Sequence, residues 1–237
     1  GRTTLSGEGL QHEDGQSHIY AATIPTCRAY DPAYGYEVAV IVEDGVRKMM
    51  SEADNGFYYI TLYNENYPQP AMPVGAEEGI RRGLYRLRGS AADDRPRAQL
   101  IGSGSILRQV IAASDLLEQE FGIATDVWSA TSFGELRKDG IDCDRWNLLH
   151  PEATPREPWV TTQLAGGGPV VAATDFVRSY ADLVRNWVPG RYTSAPTASV
   201  ARTPGWPCAT SLKSMHATSP SPRSRAWSPK APCPRTA

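Results

Sequence analysis

Between Gly7 and His18 the chain reads GEGLQHEDGQSH, two histidines and three acids set among glycines within twelve residues. Imidazole is the commonest side chain for moving protons near neutral pH, and a neighbouring carboxylate can fix its tautomer. His12 is the candidate catalytic residue of this stretch, with Glu13, Asp14 and His18 as substrate-pocket candidates. A surface turn with solvated histidines fits the same spacing, and spacing alone leaves both readings open. A metal pair is disfavoured, because six positions separate His12 from His18 and glycines interrupt any helix that might align them. A second stretch, Tyr63 to Pro73 (YNENYPQPAMP), carries three prolines in six residues, which stiffen an extended connection after a strand. Asn64, Glu65 and Asn66 fall where a parallel strand ends, the place where open α/β sheets present ligand groups, and Asn66 joins the pocket candidates. A stiff loop without a ligand role is the alternative there.

Two glycine-rich strings look like phosphate loops and are not read as such. Gly102-Ser103-Gly104-Ser105 lacks the third glycine of a dinucleotide fingerprint and is expected to be a tight strand-to-helix turn. Gly166-Gly167-Gly168 precedes a strand rather than a helix, so no helix N-terminus awaits an anion. His150, alone in a Pro-bounded loop, is read as structural.

The elements that must position these residues follow from periodicity. Tyr34 to Met50 has helical spacing, and Phe57 to Tyr63 is aromatic and β-branched, hence a buried strand. Residues 76–87 are expected to be helical. A polar stretch, 89–97, reads as a linker; a strand then turn (98–105), a helix (106–121) and a strand (124–128) follow, with a helical turn starting at Ser132. Residues 158–163 and 169–173 are read as strands and 175–187 as an amphipathic helix. Alternation of strands and helices implies βαβ units, an α/β fold with a mainly parallel sheet. The expected division is 1–88 as one unit, 89–97 as linker, 98–193 as a second α/β unit, and 194–237 as a tail.

Composition narrows the function classes. The chain has 237 residues, 41% hydrophobic and 21% charged, as in globular proteins, with no apolar run long enough for a membrane span. The four cysteines have no CxxC spacing, which argues against zinc or a disulfide framework and suits a reducing cytoplasm. From Ser194 onward lie six of the 24 basic residues, eight of the 19 prolines and none of the 26 acids. The body is therefore acidic, which disfavours nucleic acid as a partner.

Six strings together carry a resemblance: GRTTLSGEGLQHEDGQSH, AYDPAYGYEVAVIVEDG, YYITLYNENYPQPAMPVGAEEGI, IGSGSILRQVIAASDLL, DVWSATSFGELRKDG and RWNLLHPEATPREPWV. They resemble consecutive blocks of the homodimeric-type decarboxylating component of pyruvate dehydrogenase complexes, in the transketolase superfamily, over residues 1 to about 193. The resemblance implies the end of a pyrimidine-binding domain followed by a transketolase C-terminal-like domain that is cut short. It also implies thiamine-diphosphate- and magnesium-dependent decarboxylation of pyruvate, with transfer of acetyl to lipoyl groups of a dihydrolipoyl acetyltransferase core. A cytoplasmic homodimer is the implied assembly. His12 matches the family's active-site histidine in LQHEDG, facing substrate. Gln16 stands where the family pattern has His, which leaves His12 and His18 in place and removes position 16 from the candidates. The family's diphosphate and magnesium ligands are expected upstream of Gly1, so this stretch alone is expected to be inactive. A transketolase fragment is the nearest alternative, though Gly9-Leu10-Gln11-His12-Glu13 departs from that family's loop; a non-catalytic dimerisation or scaffold module is the other.

The tail from Ser194 reads as a frame shifted by one base. Recoding it yields a string with HIAVAALKGL, which resembles the family's own C-terminus. In the observed frame it is expected to be disordered, because Pro, Ser, Thr and Ala dominate and no apolar period is present.

Overall fold

A computed structural model describes residues 14–90 and 94–195. His12, Glu13 and the tail from 196 onward lie outside the described residues. A short helix α1 (Ser17–Ala21) leads to strand β1 (Cys27–Tyr30), helix α2 (Gly35–Val46) and strand β2 (Phe57–Ile60). β1 and β2 pair in parallel, Tyr30 opposite Ile60. Helix α3 (Glu77–Arg82) and strand β3 (Tyr85–Arg88) follow, then β4 (Arg97–Gly102), α4 (Leu107–Phe121), β5 (Ala124–Ser129) and α5 (Phe133–Leu149). The chain continues through α6 (Trp159–Gln163), β6 (Val170–Ala173), α7 (Arg178–Ala181) and β7 (Tyr192–Ala195). The second sheet has the order β3-β5-β4-β6-β7 and is parallel except for β3, which runs antiparallel to β5. The α/β architecture with mainly parallel sheets is the expected one.

Four local expectations differ. Residues 76–87 are not one helix: Gly83 adopts φ +101°, and Gly83 N and Leu84 N both donate to Gly79 O at 2.9 Å, closing α3 with a left-handed cap. A Cβ on Gly83 would overlap the Ser132 carbonyl, so the chain turns there into β3. Residues 158–163 are helical rather than extended. Pro158 begins α6 with a φ of −59°, Val160 is buried, and the Trp159 indole donates to Leu84 O at 2.9 Å. Short apolar runs do not distinguish helix from strand by period alone. Residues 175–187 form α7 and then a tighter 3₁₀ stretch over Asp182–Trp187, not a single α-helix. β7 includes Ser194, so the strand runs past the expected boundary at 193.

The main core lies on one face of the five-stranded sheet, where Phe133, Leu136, Phe176, Tyr180 and Val184 pack with Ile101 and Ala172. Each such large side chain contributes about 1.5–3 kcal/mol when fully buried. Leu100, Val127, Leu107 and Val110 fill the other face beneath α4. Val170 and Ala172 are buried, and β3 and β7 form the two edges of the sheet. Among the described residues no helix is long and apolar enough to cross a membrane.

Candidate functional site

Four parallel strands of the two sheets end close together, and each is followed at once by a polar residue. Asp31 follows β1, Thr61 follows β2, Ser103 follows β4 and Thr174 follows β6; all four are fully or nearly fully buried. Asp31 is the common acceptor of Thr61 and Ser103. The Thr61 hydroxyl donates to Asp31 Oδ1 at 2.6 Å, the Ser103 hydroxyl lies 3.1 Å from Oδ2, and the Tyr63 hydroxyl also donates to Oδ1. Ser103 Oγ is 2.9 Å from Thr174 Oγ1. Backbone bonds join the same ends: Gly104 N donates to Asp31 O at 3.1 Å and Asp31 N to Thr131 O at 2.8 Å.

Gly104 explains how the GSGS turn serves this junction. Its φ is +50°, and a Cβ there would overlap the Tyr63 hydroxyl and sit 2.5 Å from Asp31 Oδ2. The turn is a strand-to-helix turn, as expected, and its open space is taken by a phenol and a carboxylate.

His18 enters the junction from α1. Its ring is fully buried, with Nε2 3.1 Å from Thr61 Oγ1. Tyr59, Phe176 and Tyr180 surround it, at centroid distances of 5.3, 4.5 and 4.9 Å. Burial pushes the Tyr180 phenol well above its ordinary pKa, so it stays neutral beside the imidazole. Asp14 is tied into the same corner, accepting from Ser17 N at 2.9 Å and from the Ser17 hydroxyl at 2.6 Å. Val177 N donates to Gly15 O at 2.9 Å, fastening the segment to the approach to α7. Asn66 is exposed on the connection after β2 and takes no part in the hydrogen bonds described above; its neighbour Glu65 pairs with Arg108 at 3.0 Å.

Sequence reasoning missed Asp31, Thr61, Ser103 and Thr174. For Thr61, Ser103 and Thr174 a signal was available, since each is the first polar residue after an apolar run at a strand end, where functional groups collect; Asp31 follows a strand interrupted by Arg28 and carried no such mark. A second buried carboxylate, Glu37, locks α2 to the larger sheet. It accepts from Tyr34 N at 3.0 Å and from the Tyr85 and Ser129 hydroxyls at 2.7 Å each, and burial pushes its pKa up. Burial likewise pushes the Cys27 and Cys143 thiols up, which makes both poor nucleophiles.

A diphosphate cofactor with a divalent cation needs a cradle of backbone N–H groups and a set of oxygen donors. The described residues do not fit that end of thiamine diphosphate. The Gly102–Ser105 turn faces a carboxylate, which repels phosphate, and Gly166–Gly168 leads into β6. Among the described residues no group of three or more His, Cys, Asp or Glu is placed to hold a metal ion.

Comparison with known proteins agrees with this architecture. Residues 1–70 match the model of the pyruvate dehydrogenase E1 component middle domain, and residues 83–195 match that of the transketolase-like C-terminal domain. The pyruvate dehydrogenase E1 component of Pseudomonas aeruginosa is 55% identical over 192 residues, covering 81% of this chain and 22% of that protein. The Escherichia coli K12 protein of the same name is 55% identical over 190 residues, covering 80% and 21%. Among solved structures, Campylobacter jejuni transketolase superposes with a TM-score of 0.54 at 16% identity, covering 80% of this chain and 24% of that one. Leishmania mexicana transketolase gives 0.53 at 15%, covering 80% and 23%; both likenesses speak to the fold alone. The chain spans about a fifth of the length of the curated relatives it matches. With the two models matched in succession over most of its length, the chain belongs to the pyruvate dehydrogenase E1 component family.

Proposed function

We propose that this sequence serves as the C-terminal part of a thiamine-diphosphate-dependent pyruvate dehydrogenase (acetyl-transferring) component. In that reading the whole enzyme decarboxylates pyruvate and hands the acetyl group to lipoyl groups of a dihydrolipoyl acetyltransferase core, as a cytoplasmic homodimer. The observation that carries the reading is the 55% identity over 192 residues to proteins named for that component. The cofactor and its magnesium are held by parts of the enzyme outside this chain. His12 supplies a hydrogen bond or a proton at the oxygens of the substrate, and Asp14 and His18 support the loop that carries it. Glu13 and Asn66 are the remaining pocket candidates.

The transketolase reading rests on fold likeness at 15–16% identity, which does not carry a substrate. A direct test replaces the matching stretch of a full-length relative with residues 1–193 and offers two donors separately. Pyruvate with a lipoyl domain as acceptor should give an acetylated lipoyl domain by mass spectrometry. Ketol transfer from a ketose phosphate to an aldose phosphate, without lipoyl acetylation, would contradict the proposal.

A further inference from the structure

The fully buried His18 imidazole is too enclosed to meet a substrate arriving from solvent, yet it sits six residues after His12 and packs between Tyr59 of β2 and the Phe176 and Tyr180 rings that follow β6. Its hydrogen bonding can be assigned from its neighbours. The Thr61 hydroxyl has a single proton and two acceptors in reach, Asp31 Oδ1 at 2.6 Å and Tyr30 O at 3.3 Å. The carboxylate is the closer and stronger acceptor, so the proton goes there. Thr61 Oγ1 then turns a lone pair toward His18, and Nε2, 3.1 Å away, must be the donor. The result is a directed chain from imidazole N–H to threonine hydroxyl to the Asp31 carboxylate. Asp31 is itself fixed by Ser103 and Tyr63 at the ends of strands from the two sheets. Three aromatic rings hold the imidazole plane. The backbone beside it is fastened at Gly15 by Val177 and at Ser17 by Asp14.

We propose that His18 is a positioning residue, pinning the segment that carries His12 to the junction of the two sheets through its Nε2–H bond to Thr61. This rests on the catalytic reading of His12 above, and it departs from a role for His18 as a substrate contact. A pin of this kind acts on rate through geometry: misplacing a reacting group by about 1 Å can cost about 10²-fold.

The test uses a full-length enzyme carrying this sequence, assayed for pyruvate-dependent lipoyl acetylation. His18→Phe keeps a ring of similar shape and removes the N–H; His18→Gln restores an N–H near the position of Nε2. His18→Phe should lower kcat about 10²-fold with the pH profile of kcat unmoved. His18→Gln should recover most of that loss. Thr61→Val, which removes the acceptor and leaves the imidazole in place, should reproduce the loss. Hydrogen exchange on the same proteins should show faster exchange over residues 14–17 in His18→Phe and Thr61→Val, with β4 unchanged. Wild-type kcat in either His18→Phe or Thr61→Val overturns the proposal. So does equal loss in the Phe and Gln variants with a shifted pH profile, which would make His18 itself the proton carrier. If His18→Phe fails to fold, Thr61→Val still decides. Absence of lipoyl acetylation by the unsubstituted enzyme would instead overturn the functional reading, while the exchange measurement would still decide whether the pin exists.

Discussion

At the scale of the residue, the candidate chemistry concentrates in one short glycine-flanked stretch of sequence and, among the described residues, in a buried polar network. His12→Ala in a full-length enzyme carrying this loop should lower kcat by roughly 10²- to 10⁴-fold, the usual scale for a positioned proton-transfer group. The fold should survive, since a loop residue contributes little packing, so the melting curve of the variant should overlay that of the parent. Near-parental turnover would remove His12 from the mechanism. His12 and His18 were legible as candidates because histidines flanked by acids and glycines are conspicuous in a string. The division of labour between them was not, because only the enclosure of His18 by Tyr59, Phe176 and Tyr180 separates a sealed imidazole from one that meets substrate. Asp31 was invisible for a related reason: a single aspartate after a strand gains meaning only when Thr61, Tyr63 and Ser103, distant in sequence, converge on it.

At the scale of the element, the strands with strong periods were legible and the short polar-apolar stretches were not. β2 and β5 emerge from stretches with aromatic and β-branched residues and β4 from a short apolar run before glycine, whereas α6 hides in a β-branched string and is helical through its tertiary contacts. The edge strand β7 depends on a small ionic cluster. The Ser194 hydroxyl donates to Asp182 Oδ1 at 2.6 Å, Arg185 bonds the same oxygen at 2.7 Å, and Arg178 Nε lies 3.0 Å from Ser194 Oγ. Partial burial alone would raise the pKa of Asp182, but the Ser194 and Arg185 hydrogen bonds outweigh it and hold the carboxyl below its ordinary value. A carboxyl lowered on folding contributes stability above its unfolded pKa of about 3.9 and loses it as pH falls through the folded value. Asp182→Asn should therefore destabilise the chain by about 1 kcal/mol near neutrality. The difference from the parent should vanish in acid, below the depressed pKa. Thermal melts of both proteins across that range check the sign; a gap that widened toward low pH would contradict the role given to Asp182.

At the scale of the whole molecule, the described residues form two sheets whose carboxyl ends meet, joined through Asp31, while Glu37 ties α2 to the larger sheet. The α/β class and the order of most elements were legible because βαβ alternation leaves a strong imprint on a sequence. The meeting of the two sheets was not, since it is written in buried polar residues rather than in a period. Under the proposed function, this chain contributes the substrate-facing histidine and its support, while the cofactor is gripped elsewhere in the enzyme. The most direct test is thiamine-diphosphate-dependent acetyl transfer from pyruvate to a lipoyl domain, measured in parallel on residues 1–237 alone and on a full-length relative in which residues 1–193 replace the matching stretch. Transfer by the full-length protein and none by the isolated chain is the predicted result; acetyl transfer by residues 1–237 alone would contradict it.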